Sequence, residues 1–206
     1  MNEYIIGLLL TYVAVLLALL TPGPNLMGIL TTTLERGRAA GTLFGVGIAM
    51  GSLTWSILTV VGLTHFIASY DYVLWLIKLL GGAYLIYIGY KVFKASSEQE
   101  QINESLPAKK LSEFFVSGYL LMMTNPKSAF GWLAIASLSI YKDSPTWVAA
   151  SVIGGTFILS FITHSSFALV FSCSGFLKVY NRCRRPLLKA SSLIYCLLGV
   201  KLLMFS

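Results

Sequence analysis

The sequence predicts an all-α integral membrane protein, a single transmembrane domain over residues 1–206, and three observations carry that prediction. Hydrophobic residues make up 56% of the 206 and charged ones only 11%, whereas soluble domains carry about 25% charged residues. Six stretches are apolar enough over a span's length, which takes about 20 residues. Two proline motifs, Thr21-Pro22-Gly23-Pro24-Asn25 and Thr124-Asn125-Pro126-Lys127, interrupt the first and fourth of them. The predicted architecture is six transmembrane helices forming two inverted three-helix repeats, with helices 1 and 4 broken at the proline motifs.

The elements follow in order. The spans fall at roughly 4–21, 41–64, 72–93, 113–140, 146–173 and 188–205. Proline lacks a backbone donor and disfavours helix in the residue before it. The first span therefore breaks at Pro22 and Pro24, and a helical segment over about 25–36 follows. The fourth span breaks at Pro126 in the same way. The first run is not read as a cleaved leader: its short start carries Glu3, and no A-x-A site precedes Pro22. Residues 95–112, polar and charged, form the one stretch that resembles a solvated linker, and they separate halves at about 1–94 and 113–206. Glycines at 41, 45, 47, 51, 81, 82, 154 and 155 mark places where helices can pack closely, within the chain or in a homodimer.

Charge sets the expected orientation. Arg36 and Arg38 follow the first span, and Lys91, Lys94, Lys109 and Lys110 follow the third. Lys178, Arg182, Arg184, Arg185 and Lys189 follow the fifth. The other two loops hold His65 with Asp71 and Lys142 with Asp143. The positive-inside rule places the basic loops in the cytoplasm and both termini outside. With three spans per half, the second half starts on the opposite side from the first, as inverted repeats do. The formal net charge of +7 belongs to these loops rather than to a soluble basic face, so no nucleic-acid partner is expected.

The two breaks are the candidate substrate site. Freed backbone groups at membrane depth are tolerated only where protein or a water-lined cavity meets them, and paired broken helices are a mark of transporter sites. The candidate substrate-binding residues are Pro22, Gly23, Pro24, Asn25, Asn125, Pro126 and Lys127. Lys127 brings a cation to membrane depth, and the helix restarting after Pro126 adds the positive end of its dipole. Together they suit a carboxylate. The ordinary alternative is a lysine that snorkels to the interface. Asn25 stands at the related place in the first half, where capping is the ordinary role of asparagine. Lys78, near the outer end of the third span, reads as a snorkelling side chain. His164, inside the fifth span, is the candidate proton-coupling residue, since an imidazole exchanges protons near physiological pH.

Absences narrow the chemistry. Every Asp and Glu falls in a loop or at a span end, so a cationic substrate side chain would lack a buried counter-charge. A net-neutral substrate with a carboxylate and an ammonium is favoured. No Cys/His cluster, phosphate loop or hydrolase motif is present, and Cys173, Cys183 and Cys196 form no CxxC pair. No enzyme activity, cofactor or metal is expected. An ion or metal efflux protein on a related six-helix scaffold is the alternative, and it calls for His, Cys or acidic ligands that the linker lacks.

The motifs also carry a resemblance. Pro22-Gly23-Pro24-Asn25 with Arg36-Gly37-Arg38-Ala39-Ala40-Gly41, the run Lys78 to Tyr90, and Phe115 to Lys127 resemble, in order and spacing, the signatures of the LysE/RhtB family of amino-acid exporters. The resemblance implies six spans in a bacterial inner membrane and proton-driven efflux of a threonine-, homoserine- or leucine-like amino acid. Some relatives carry aspartate where this chain has Asn25, which leaves the proton carrier open and makes His164 a candidate.

Overall fold

In the computed structural model, residues 2–21, 23–69, 71–97, 110–141, 144–172 and 176–204 are described. They form seven helices: α1 (Asn2–Leu20), α2 (Pro24–Ser69), α3 (Asp71–Ala95), α4 (Leu111–Thr124), α5 (Pro126–Ala136), α6 (Thr146–Phe171) and α7 (Phe176–Met204). No strand occurs among the described residues. Among the described residues, four stretches are long and apolar enough to cross a bilayer: Glu3–Leu20, Pro24–Leu63, Thr146–Phe171 and Arg185–Met204. Pro22, Lys142, Asp143, Cys173 and most of the 95–112 linker lie outside the described residues, as do the side chains of Lys78, Pro126 and Cys183.

α2 is a hairpin rather than one long rod. Gly37 has φ 83° and ψ 170°, a region essentially reserved for glycine. In a continuous helix, residues 33 and 41 would stand about 12 Å apart. Here a Cβ on Gly41 would run into the Thr33 side chain, and one on Gly28 would lie 2.7 Å from the Phe44 ring. The arm 24–36 therefore folds back on the arm 38–69, so the first break is followed by the short helix expected at 25–36. Two boundaries are corrected. α5 stops at Ala136 where a span to 140 was expected, because 137–140 turn through short backbone bonds such as Leu138 N–H to Ile135 C=O, 3.1 Å. α7 starts at Phe176 rather than 188, so the basic stretch expected as a loop is its first turns, with Pro186 inside the helix.

Close approaches fix the helix directions. A Cβ on Gly7 would lie 2.8 Å from the Leu138 carbonyl oxygen, and Thr11 Oγ1 donates to Ile135 C=O at 3.3 Å. Farther along, a Cβ on Gly23 would sit 3.4 Å from Lys127 Nζ, and one on Gly28 would sit 3.2 Å from Leu121. The partner numbers fall as the first rise, so α1 and the short arm of α2 run antiparallel to α4 and α5. The long arm of α2 opposes α6 likewise: Gly45 abuts the His164 carbonyl, and Ser56 Oγ meets Thr156 Oγ1 at 3.4 Å. α3 opposes α7, where Gly82 and Gly199 face each other's carbonyls and Ser192 Oγ donates to Gly89 C=O at 2.7 Å. The long arm of α2 and α4 instead run parallel, with Gly47 against Phe115 and Gly51 against Met122. These glycines, expected to mark tight packing, are used inside the chain. Gly154 alone of that set has nothing within 4 Å of a Cβ position.

Hydroxyl groups and an imidazole are buried within an apolar core, and the exterior is apolar. Thr11, Ser52, Ser56, Ser139, Thr156, Ser160 and His164 are buried, while Leu9, Leu58, Val61, Ile158, Ile162, Leu193 and Leu197 are exposed. Hydrocarbon rather than water suits that surface. Several buried hydroxyls donate back along the chain, as Thr156 Oγ1 does to Val152 C=O at 2.6 Å. In the turn after α5, burial pushes the Tyr141 phenol up, and the Glu3 carboxylate and Tyr4 nearby push it further. It stays neutral and donates to Leu138 C=O at 3.0 Å.

Candidate functional site

Each break is built by a proline at a helix start. Asn125 precedes α5 with extended backbone (φ −77°, ψ 110°), its side-chain Oδ1 accepts from Lys127 N–H at 3.0 Å, and Pro126 is the first helical residue. That is an N-cap followed by proline at the position where a missing N–H costs nothing. At the other break, α2 begins on Pro24, and Met27 N–H reaches Gly23 C=O at 2.9 Å. The capping position there is Gly23, which has no side chain. Asn25 is already inside the helix and does not cap it, contrary to its expected ordinary role. Capping falls to Asn125 alone.

The antiparallel pairing of the two broken helices sets the breaks side by side. A cavity of about 80 Å³ lies between them, lined by Thr21, Gly23, Pro24 and Asn25 from the first break and Asn125, Lys127 and Ser128 from the second. Such a space holds a small polar solute or a few waters. Val15, Ala18, Leu19, Leu26, Gly131, Trp132 and Ile135 supply an apolar side, and His164 and Ser52 complete the wall. Of the expected site residues, Gly23, Pro24, Asn25, Asn125, Lys127 and His164 thus meet at one place.

Donors dominate this cavity. Lys127 Nζ reaches across from the second break to the backbone of the first, beside Gly23. Asn125 Nδ2 points to Asn25 Oδ1 at 3.5 Å, which is a long bond. Asn25 Nδ2 and Ser128 Oγ both donate to the Met122 thioether, at 3.1 and 3.2 Å. Among the described residues, no Asp or Glu lines the wall. The first free N–H of α5 is occupied by its own Asn125 cap, so positive character rests more on the Lys127 ammonium than on the helix end. Tyr84 on α3 donates to Lys127 C=O at 3.0 Å and so fixes the backbone under that ammonium. The opposite character comes from α1, whose last turn, Leu17 to Leu20, ends at the cavity. Thr21 N–H and Oγ1 both bond Leu17 C=O, and the carbonyl end of a helix dipole is negative.

His164 is buried, and its Nδ1 lies 3.0 Å from Ser160 C=O and 3.1 Å from Ser160 Oγ. A carbonyl can only accept, so Nδ1 carries the proton in the neutral ring and Nε2 keeps a lone pair. Met122, Ser128, Trp132, Tyr84 and Ser52 were not anticipated. Ser128, Trp132 and Ile135 follow Lys127 at one, five and eight residues, a helical stripe that the spacing after the break could have indicated. Tyr84 and Ser52 come from other helices, and no local signal pointed to them.

The sequence matches the family model described as LysE type translocator over residues 15–206. Among curated proteins it is similar to the uncharacterized membrane protein YahN of Escherichia coli (strain K12), at 29% identity over 180 residues covering 87% of this chain and 79% of that one. It is similar to the threonine efflux protein of the same organism, at 27% identity over 161 residues covering 75% and 78%. The uncharacterized membrane protein YrhP of Bacillus subtilis (strain 168) is 32% identical over 136 residues, covering 62% of this chain and 65% of its own. No solved structure matches the chain.

Proposed function

The chain belongs to the LysE type translocator family and is a multi-pass membrane protein, and from that premise we propose that it exports a small net-neutral amino acid across a bacterial inner membrane in exchange for protons. The observation that carries this reading is the meeting of both proline breaks around one donor-rich cavity. In it, the Lys127 ammonium with the Asn25, Asn125 and Ser128 donors takes the substrate carboxylate. The carbonyl end of α1 takes the ammonium, and the apolar wall from Val15 to Ile135 takes a short side chain. A threonine efflux protein among the relatives supports an amino-acid cargo of that size.

The same reading makes the chain six spans in two inverted halves. α4 and α5, of 14 and 11 residues, are each too short to cross alone and act as one broken span. α1 with the short arm of α2 is the other. Inversion requires each helix of one half to run antiparallel to its counterpart, and all three counterpart pairs do. His164 lines the same cavity with Nε2 available as a base, which makes it the proton carrier in this proposal.

Export of a panel of labelled amino acids from cells or inverted vesicles tests the reading, with Lys127→Ala beside the wild type. Faster efflux of a small neutral amino acid, lost in Lys127→Ala at equal membrane abundance, is the expected result. No amino acid moving above empty membranes would overturn it.

A further inference from the structure

We propose that the thioether of Met122 is a placeholder acceptor: it holds the donors of the empty site in position and is displaced by a carboxylate oxygen of the substrate. The proposal rests on the amino-acid reading above and names a residue that sets how tightly that site binds.

Three observations lead to it. First, the two donors on the sulfur come from different broken helices, Asn25 Nδ2 from α2 at 3.1 Å and Ser128 Oγ from α5 at 3.2 Å. One weak acceptor therefore joins the two breaks. Second, Met122 is locked in place. It is buried, its carbonyl accepts from Trp55 Nε1 at 3.2 Å, and a Cβ on Gly51 would lie 2.7 Å from its Cβ. The sulfur is thus presented to the cavity by packing on its far side. Third, Met122 lines the same cavity as Lys127, where a carboxylate would be drawn.

The energetics give the arrangement its sense. A buried donor with no acceptor is costly to leave, so an empty site lined only by hydrocarbon would strand the amide and the hydroxyl. A thioether is a weak acceptor, enough to keep both donors oriented and too weak to hold them against an anion. Hydrogen bonds to a charged acceptor are roughly twice as strong as neutral ones. Exchange of sulfur for carboxylate therefore favours loading, and the reverse exchange on release spares the empty carrier two stranded donors. A stronger acceptor at this position would compete with the substrate, and none at all would leave the empty state strained.

Two substitutions should therefore act with opposite signs, which a merely structural role would not produce. Leucine matches methionine in volume and is usually tolerated. Met122→Leu removes the placeholder and should lower the Kd of the transported amino acid by roughly three- to tenfold, because the empty site loses its acceptor. Met122→Gln offers a carbonyl oxygen at similar reach and should raise the Kd by a similar factor. Binding of the labelled amino acid to purified, monodisperse protein measures both, and the methyl ester of the same amino acid serves as a probe without a carboxylate. The Leu variant should leave the weak binding of the ester unimproved. Kd shifting the same way in both variants, or an unchanged Kd in Met122→Leu, overturns the placeholder while the amino-acid site stands. Should Met122→Gln fail to fold, the sign of the Leu variant decides alone. A wild type that binds no amino acid removes the site and the placeholder together.

Discussion

At the residue scale, the site is a set of donors assembled by backbone geometry. Asn125 turns the chain, caps α5 and points its amide at Asn25, all through one side chain. Loss of an N-cap costs about 1 kcal/mol, so Asn125→Ala should lower the unfolding midpoint in detergent and weaken substrate binding together. Asn125→Asp should restore the cap, seen as recovered stability, while substrate affinity stays reduced because the new carboxylate faces the same cavity as the substrate's. Tyr84→Phe removes one bond to the Lys127 carbonyl, worth about 1 kcal/mol. It should slow export severalfold at unchanged membrane abundance. The motif residues were legible in sequence because proline and a membrane-depth lysine are conspicuous. Asn25 was read as a cap because its type favours caps, yet its place after Pro24 puts it inside the helix. Met122 gave no signal at all, since a methionine in an apolar span looks like packing.

At the scale of elements, glycine decides where helices turn and where they touch. Gly37 closes the α2 hairpin at φ 83°, where a side chain is strained by about 1–3 kcal/mol. Gly37→Ala should lower thermal stability in detergent by that order, and Gly62→Ala, which meets nothing within 4 Å, should not. Gly118 faces the Phe44 carbonyl and Gly47 the Phe115 carbonyl, so a leucine at either should separate α2 from α4 and abolish folding into the membrane. The spans from 41, 72 and 146 were readable from unbroken apolar runs, and the structure has helices there. The end of α5 and the start of α7 were not. Residues 137–140 are as apolar and small as the helix before them, and basic residues at the start of α7 look like a loop when only charge is counted.

At the scale of the whole molecule, leucine and isoleucine cover the outside, while hydroxyls and His164 share the inside with an apolar core. Composition announced this, and the loop charges announced an orientation. Reporter enzymes fused at each terminus and each loop test it: the account expects external signal at both termini and cytoplasmic signal near Arg38 and near Arg182. The packing of α3 on α7 was beyond the sequence, because no local signal pairs the two helices and only contacts such as Gly82 with Gly199 reveal it. His164→Gln should keep substrate binding but flatten the dependence of export on pH, since the variant side chain carries no exchangeable ring proton. An unchanged pH profile would remove His164 from the proton route and leave the substrate site intact.

The central claim is that the two breaks make one site, and a double-mutant cycle on substrate affinity tests it most directly. Asn25→Ala and Lys127→Ala come from different helices, 102 positions apart in the chain, yet both line one cavity. The Kd of the exported amino acid, measured for the wild type, each single variant and the pair, should give a coupling of about 1 kcal/mol or more. Strict additivity, with each substitution acting as if the other residue were absent, would contradict it.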